Sequence, residues 1–227
     1  MSESLRVAVL ASGSGTNLQS IIDRLHLRSD SGVHIARVIG SRPGIGALER
    51  ASECDIPTYV HPPGGGGEQR LLQVLEASGA DLVILAGWLR LIPSDVVRAF
   101  RGRMINIHPA LLPAFGGPGM YGRHVHEAVV ASGARVSGAT VHFVDEVYDR
   151  GAIIAQWPVP VLEGDDAETL AARVLAVEHR LLPAVASAFA ERRFELTPSG
   201  RVAWVNKWFS GETFTMPSLK ENDRKRR

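Results

Sequence analysis

The chain has 227 residues, of which 45% are hydrophobic and 22% are charged, a composition typical of a globular protein in water. A formal net charge of +1 argues against nucleic acid or a membrane surface as the main partner. The single cysteine, Cys54, excludes a disulfide framework, and no H-x-x-x-H or H-E-x-x-H pair predicts a metal site. Because no stretch has the pattern of a leader or the length of a membrane span, we expect a cytoplasmic location.

The first predicted strand runs into a glycine-rich turn. Residues 5–11 are almost all apolar, as in a central strand covered on both faces, and residues 12–17 (SGSGTN) lead into a helix. Free backbone N–H groups at such a turn favour a phosphate. A plain tight turn, with Thr16 or Asn17 capping the helix, fits the sequence equally well. The segment matches neither a Walker A motif nor G-x-G-x-x-G, since Leu18 stands at the third glycine position.

Strand and helix patterns then alternate. We expect strands at 33–40, 56–60 and 81–86, helices at 45–53, 68–78 and 94–100, and a mobile loop at 62–67. This alternation indicates an α/β fold with a doubly wound, mostly parallel, Rossmann-like sheet. Ligands of such sheets bind beyond the carboxyl ends of the strands. The loops at 12–17 and 87–92 both follow strands, so they should meet at one crevice.

The segment MINIHP at 104–109 carries the strongest chemical signal. Side chains alternate along a strand, so Asn106 and His108 share a face and lie roughly 6.5–7 Å apart. Pro109 cannot continue the ladder, so the strand should end at His108. The Asn106 amide can donate a hydrogen bond, and the His108 imidazole can exchange a proton near neutral pH. A small substrate group between them could therefore contact both side chains. Taken alone, the pair could also have a purely structural role, in which both side chains only form hydrogen bonds with nearby backbone groups at the end of the strand.

An antiparallel extension follows residue 113. After a helix at 124–132, apolar strands are expected at 136–144 and 152–161, and their connection is too short for a crossover helix. Asp149 lies in this connection in a D-x-G turn, where shaping the turn is the common role of an aspartate. A terminal hairpin at 194–205 and a charged tail complete the chain.

A long amphipathic helix is predicted at 167–190, and its apolar stripe contains one carboxylate, Glu178. A carboxylate that faces a core is costly unless a partner stabilises it. An ion pair with an arginine and a role as a ligand for a substrate both fit the sequence.

These segments together resemble the folate-dependent glycinamide ribonucleotide transformylases (phosphoribosylglycinamide formyltransferases) of purine biosynthesis. The matching stretches are ASGSGTNLQSII, LAGWLRLIP, NIHPALLPAFGG, GATVHFVDEVYDRGAIIAQ and VLAVEHRLLP. Their order and spacing over residues 5–205 imply a single domain with the formyltransferase fold at 1–205. The resemblance divides it into a nucleotide-binding half, 1–103, and a folate and catalytic half, 104–205, followed by a tail at 206–227.

The resemblance also implies the site residues. The catalytic residues would be Asn106, His108 and Asp149. The residues that hold the ribonucleotide would be Gly15, Thr16, Asn17 and Glu178. The residues that hold the pteridine of 10-formyltetrahydrofolate, the implied co-substrate, would be Leu89, Arg90, Leu91, Ile92, Asn106 and Asp145. The family implies small-molecule substrates, no metal, no nucleic acid, no membrane, and a monomer or homodimer.

Three features depart from the family pattern. Asp-Arg-Gly at 149–151 replaces the commoner Asp-Gly-Gly, and the glycine run at 64–67 lacks a basic residue, with Arg70 the nearest. The loop at 116–123 is longer than in the best-known members. These departures concern lid and folate-tail contacts, not the core chemistry.

The residue types agree with formyl transfer. An Asn106 amide and a protonated His108 would stabilise the negative charge on the formyl oxygen, and His108 would pass a proton toward the departing nitrogen. Asp149 would favour the charged imidazole.

Two other functions remain open, a sugar-nucleotide N-formyltransferase and a non-catalytic nucleotide-binding module, which would not need all three polar residues. Methionyl-tRNA formyltransferase and formyltetrahydrofolate hydrolase would be expected to carry further domains. A Rossmann dehydrogenase is disfavoured, because Gly-Ser-Arg rather than an acidic residue ends the second strand.

Overall fold

A computed structural model of the chain describes residues 4–62 and 67–205, without the side chains of residues 67–69. Most of the glycine-rich loop predicted at 62–67 and the charged tail lie outside the described residues. Within them, no helix is both long and apolar enough to cross a membrane.

Seven strands form one twisted sheet. They are β1 Leu5–Ala11, β2 Val33–Gly40, β3 Thr58–Val60, β4 Leu82–Leu85, β5 Met104–His108, β6 Val136–Phe143 and β7 Ile153–Pro160. Their order in the sheet is β3-β2-β1-β4-β5-β6-β7, parallel from β3 to β5 and antiparallel from β5 to β7. The predicted α/β sheet with an antiparallel C-terminal extension is confirmed. The order reverses at β1 and β4, and β5 ends at His108 as its proline predicted.

Helices cover both faces of this sheet. They are α1 Thr16–Ile21, α2 Gly46–Glu53, α3 Gly67–Ala77, α4 Ser94–Ala99, α5 Arg123–Ser132 and α6 Ala167–Ala190. Buried side chains of α1, α2, α5 and α6 pack on one face, and those of α3 and α4 pack on the other. In β1, Val7 and Val9 face the first core while Ala8 and Leu10 face the second. Burial on both faces explains why the sequence of β1 is apolar without interruption.

The start of α1 differs from the expected capped helix. Its N-cap is Gly15, in a left-handed conformation with φ of 76° and no side-chain cap. The cap by Thr16 or Asn17 that the sequence allowed does not form, because the helix begins at Thr16 and both residues lie inside its first turn. A Cβ at Gly15 would lie 2.6 Å from backbone of α2, so the close approach of α2 requires glycine. The helix continues as a π-helix over Ile22–His26.

The predicted terminal hairpin is present as β8 Phe194–Leu196 and β9 Val202–Trp204. The Phe194 ring contacts Phe143 of β6, Phe189 of α6 and Trp204, with centroid distances of 4.8 to 6.0 Å. These aromatic contacts attach the hairpin to the sheet and to α6.

Candidate active site

The carboxyl ends of β1, β4 and β5 open into one cavity of 870 Å³. Its wall includes Ser12 after β1, the segment 87–92 after β4, and Asn106 with His108 on β5. The connection between β6 and β7 and the first half of α6 complete the wall. The structure thus brings together the polar features that the sequence placed at separate strand ends.

His108 and Asp149 face each other in this cavity. His108 Nδ1 lies 3.6 Å from Asp149 Oδ2, and the two side chains are 4% and 11% exposed. Asp149 has a φ of 55°, which is uncommon outside glycine but tolerated by aspartate. Asp149 therefore both shapes its turn and presents a carboxylate to His108.

Both ring nitrogens of His108 are engaged. Nε2 donates to the carbonyl of Phe115 at 2.8 Å, which leaves Nδ1 to face Asp149. Burial lowers the pKa of His108, the Asp149 charge and the Phe115 carbonyl raise it, and His142 lowers it again. The net pKa lies below the usual value for histidine. Asp149 acts in the predicted direction, but burial outweighs it.

Asn106 has a partner that the sequence did not reveal. Its Nδ2 lies 3.1 Å from His142 Nε2, and His142 Nδ1 lies 2.8 Å from the Phe143 carbonyl. Because a carbonyl only accepts, Nδ1 carries the proton, and Nε2 of the neutral ring accepts from the amide. This bond fixes which way the Asn106 amide faces and leaves its second N–H for a ligand.

Asp149 is held as a carboxylate. Burial by itself would raise its pKa, but the contacts with His142 and His108 and the Gly117 N–H outweigh burial, so the pKa is lowered. The Gly117 N–H donates to Oδ2 at 2.9 Å. His142 Nε2 lies 3.6 Å from Oδ1, too far for a hydrogen bond, so His142 stabilises the carboxylate only when its ring is charged.

Asn17 and Glu178 form a second polar group in the cavity wall. Asn17 Nδ2 donates to Glu178 Oε2 at 2.8 Å across 161 residues of sequence. Glu178 is 6% exposed, and burial raises its pKa to about 7 although the Asn17 bond lowers it. Its described partner is thus an amide and not the arginine of the ion-pair hypothesis. Gly15 and Thr16 do not line the cavity.

The residues implied for the pteridine line the same cavity: Leu89, Arg90, Leu91, Ile92, Asn106 and Asp145. Leu89 and Leu91 are 53% and 57% exposed, so the wall here presents apolar surface to water. The Arg90 guanidinium instead donates to the carbonyls of Ser41 and His61. Arg90 therefore ties this loop to the ends of β2 and β3. Across residues 4–62 and 67–205, no three His, Cys, Asp or Glu side chains are grouped to hold a metal ion.

Residues 5–186 match the formyl transferase family. The chain belongs to this family. It is 46% identical over 193 residues to the chloroplastic phosphoribosylglycinamide formyltransferase of Vigna unguiculata, a match that covers 83% of this chain and 62% of that protein. It is 40% identical over 209 residues to the phosphoribosylglycinamide formyltransferase of Mycobacterium tuberculosis, covering 89% and 92%. The chain therefore spans only part of the Vigna protein but nearly all of the mycobacterial one.

A solved structure agrees with these matches. The crystal structure of glycinamide ribonucleotide transformylase 1 from Symbiobacterium toebii superposes with a TM-score of 0.82 at 38% identity, covering 91% of this chain and 96% of that one. The resemblance inferred from the sequence is confirmed, and so is the formyltransferase fold.

This formyl transferase site contains residues to which sequence reasoning gave no role. His142 holds Asn106, and the Phe115 carbonyl holds His108. His126 is 5% exposed in the cavity wall, and its pKa is lowered by burial and by the charge of His108. The sequence signal that could have found them is the group of histidines that follows His108 in the chain, which includes His126 and His142. The pairing of Asn106 with His142 depends on the register of β5 against β6, which the sequence does not state.

Proposed function

We propose that this formyl transferase moves the formyl group of 10-formyltetrahydrofolate to the amine of glycinamide ribonucleotide, giving N-formylglycinamide ribonucleotide in purine biosynthesis. The observation that carries the proposal is that one cavity joins Asn106, His108 and Asp149 to the buried pair Asn17–Glu178. The names of the Vigna, Mycobacterium and Symbiobacterium relatives support the same acceptor.

The cavity residues supply the groups that the chemistry needs. When the amine attacks the formyl carbon, negative charge develops on the formyl oxygen. The free N–H of Asn106 donates to that oxygen, and preorganised donors of this kind are often the largest single contribution to catalysis. His108, in the protonated form that the Asp149 charge favours, gives a proton to the departing nitrogen as the carbon–nitrogen bond breaks and its electron pair moves to that nitrogen, and the neutral imidazole left behind takes up the proton that the attacking amine loses.

The remaining wall residues suit the two substrates. The Glu178 carboxylate accepts hydrogen bonds from hydroxyl groups such as those of a ribose. Asn17, in the cavity wall, would hold the phosphate of the acceptor, and the backbone N–H groups of Gly15 and Thr16, which lie outside that wall, would complete the phosphate site at its edge. The exposed apolar surface of Leu89 and Leu91 suits a flat pteridine ring. Holding both substrates in one crevice lowers the barrier further.

We extend the proposal to the organisation of the chain. Residues 1–205 act as one formyltransferase domain, in which 1–103 mainly bind the nucleotide and 104–205 mainly bind the folate and carry the catalytic residues, while residues 89–92 and Glu178 cross that division. The continuous seven-stranded sheet across both halves supports a single domain. We propose a monomer or homodimer in the cytoplasm that acts without nucleic acid or membrane partners. Sizing by light scattering and cell fractionation test these points, and recovery in an organelle fraction would contradict the location.

The test of function is a transfer assay with 10-formyltetrahydrofolate and a choice of acceptors. The acceptors are glycinamide ribonucleotide, its dephosphorylated form, a sugar-nucleotide amine, methionyl-tRNA and water. We expect rapid transfer to glycinamide ribonucleotide and a strongly raised KM for the dephosphorylated form. Preference for the sugar-nucleotide amine would favour that enzyme class instead, and binding of nucleotide without transfer to any acceptor would indicate a binding module.

A further inference from the structure

Thr140 of β6 is the centre of a hydrogen-bond network beside the catalytic strand. It pairs with His108 in the β5–β6 ladder and is fully buried. Its hydroxyl donates to the carbonyl of Ala110 at 2.6 Å and accepts from the N–H of Leu112 at 3.1 Å. The side chain of Gln156 on β7 donates to the same oxygen at 3.1 Å. A hydroxyl has one donor and two acceptor sites, so all three are used.

Gln156 strengthens the same anchor. Its Nε2 also donates to the carbonyl of Leu112 at 2.8 Å, so both of its N–H groups are engaged. Thr140 and Gln156 are paired in the β6–β7 ladder, which places the two side chains next to each other. Between them they bind both backbone polar groups of Leu112 and the carbonyl of Ala110.

The anchored segment leads directly back to the catalytic histidine. It leaves β5 after His108 and returns within seven residues, so that the carbonyl of Phe115 accepts from His108 Nε2 at 2.8 Å. Phe115 adopts a left-handed conformation, with φ of 54°, to present that carbonyl. The segment packs tightly, because a Cβ at Gly116 would lie 2.5 Å from Leu112 and 3.2 Å from the Asp149 Cβ. A shift at Leu112 would therefore reach both His108 and Asp149.

We propose that Thr140, supported by Gln156, is a positioning residue for formyl transfer, which fixes the imidazole of His108 through the segment 110–115. It touches neither substrate. It holds the turn whose carbonyl sets the direction of His108 Nε2–H and thereby the direction of Nδ1 toward Asp149. This inference rests on the proposed function for its catalytic consequence but not for its effect on the His108 ring.

The test compares three variants of the full chain. Thr140→Val keeps the shape and removes the hydroxyl, Thr140→Ser restores it, and Ser137→Ala is the matched control. Ser137 lies on the same strand and is 2% exposed, and its hydroxyl has no hydrogen-bond partner in the part of the chain that the structure describes. We expect Thr140→Val to lower kcat about 10- to 100-fold, as for a small misplacement of a catalytic group, with both KM values within about twofold.

The other two variants separate position from stability. Thr140→Ser should recover most of kcat, and Ser137→Ala should keep kcat close to that of the wild type. A purely structural role would lower the melting temperature of Thr140→Val and leave kcat unchanged at temperatures where the protein is folded. A kcat for folded Thr140→Val equal to that of Ser137→Ala would overturn the proposal.

A second measurement needs no activity. The ¹⁵N resonance of His108 Nε2, assigned by its loss in His108→Gln, should be that of a protonated nitrogen in the wild type. It should shift or broaden in Thr140→Val and stay unchanged in Ser137→Ala. An unchanged resonance in Thr140→Val would overturn the positioning role. Absence of formyl transfer by the wild type, together with the expected shift in Thr140→Val, would reject the proposed function and keep the inference about His108.

Discussion

At the scale of single residues, the site is controlled by charges on largely buried side chains. His108 loses proton affinity through burial and regains part of it from Asp149 and the Phe115 carbonyl. Asp149 keeps its charge in spite of burial because Gly117, His108 and His142 surround it. Glu178 has an amide for a partner, and its pKa rises to about 7. Each of these pKa shifts makes a distinct prediction about pH.

Asp149→Asn should fold normally and lose kcat. Asparagine tolerates the left-handed conformation and can still accept from Gly117. The loss should be about 10²–10⁴-fold, since an uncharged neighbour no longer favours protonated His108. Activity that needs protonated His108 falls as the pH rises through the His108 pKa. Because removal of the Asp149 charge lowers that pKa further, the limb should move to lower pH.

A double variant provides the control. If His108 and Asp149 act as a unit, Asp149→Asn combined with His108→Ala should be little slower than either single variant. If the loss of kcat in the double variant equals the product of the two single losses, and the pH profile of Asp149→Asn does not move, then Asp149 only shapes its turn.

Glu178→Gln should stabilise the protein at high pH and weaken acceptor binding. The pKa of Glu178 in the folded state, about 7, lies above its ordinary value of 4.5, so the folded state holds this proton more tightly. The resulting stability is present below about pH 4.5 and is lost as the pH rises to about 7, by up to about 3 kcal/mol. Glutamine does not titrate and avoids this loss.

Urea unfolding at about pH 5 and about pH 8 measures the effect. The advantage of Glu178→Gln should appear at the higher pH, while the exposed control Glu76→Gln should show no such difference. The KM for glycinamide ribonucleotide should rise in Glu178→Gln. A variant that is less stable than the wild type at both pH values, with a normal KM, would mean that Glu178 is purely structural.

At the scale of elements, two connections position the groups that contact His108 and Asp149. The β6–β7 connection carries Asp149, and the segment after β5 carries Phe115 and Gly117, which bond His108 and Asp149. The fit of the first connection against β6 is tight, because a Cβ at Gly151 would lie 1.8 Å from the carbonyl oxygen of Phe143. Backbone atoms cannot move aside as a flexible side chain can.

Gly151→Ala should therefore cost about 3 kcal/mol or more of unfolding free energy. It should also lower kcat, because Asp149 lies two residues away. Gly200→Ala is the control: it has open space but a φ of 74°, so it should cost only the left-handed strain of about 1–2 kcal/mol. Urea unfolding and kcat are measured on both variants, and Gly151→Ala should show the larger loss in each. Equal stability of the two variants would show that the connection relaxes more easily than its packing indicates.

At the scale of the whole molecule, one sheet lets distant parts of the sequence share a cavity. β4 and β5 are neighbours in the sheet, so the loop after β4 and the catalytic strand end at the same edge. α6 returns over this edge and places Glu178 against Asn17 of the first helix. The residues that we propose to bind the acceptor and the folate thus come from both halves of the chain.

Variants that affect different substrates should act independently. Asn17→Ala should raise the KM for glycinamide ribonucleotide about tenfold with a smaller change in kcat, while Leu91→Ala should raise the KM for 10-formyltetrahydrofolate. The double variant should show both changes additively, because the residues contact different ligands. Asn17→Ala combined with Glu178→Gln should be less than additive, since those side chains bond each other. Steady-state kinetics with both substrates varied measure these effects. Coupling between Asn17→Ala and Leu91→Ala, with full additivity of Asn17→Ala and Glu178→Gln, would contradict the proposed binding roles.

The sequence by itself determined most of the architecture. The unbroken apolar run of β1 indicated a central strand, Pro109 ended β5 at His108, and the short connection after β6 required an antiparallel pair. Composition and local pattern are enough for such features, because backbone hydrogen bonding and side-chain periodicity act over a few residues. The alternation along β5 also put Asn106 and His108 on one face before any contact was known.

Only the tertiary structure decided which groups touch. The bond from Asn106 to His142 depends on strand register, the Phe115 carbonyl reaches His108 through an irregular segment, and Asn17 meets Glu178 across 161 residues. The tertiary structure also decided that the pKa of His108 is lowered, since burial outweighs the neighbouring Asp149 charge. Burial and long-range contacts belong to the packed chain, and no local stretch of sequence contains them.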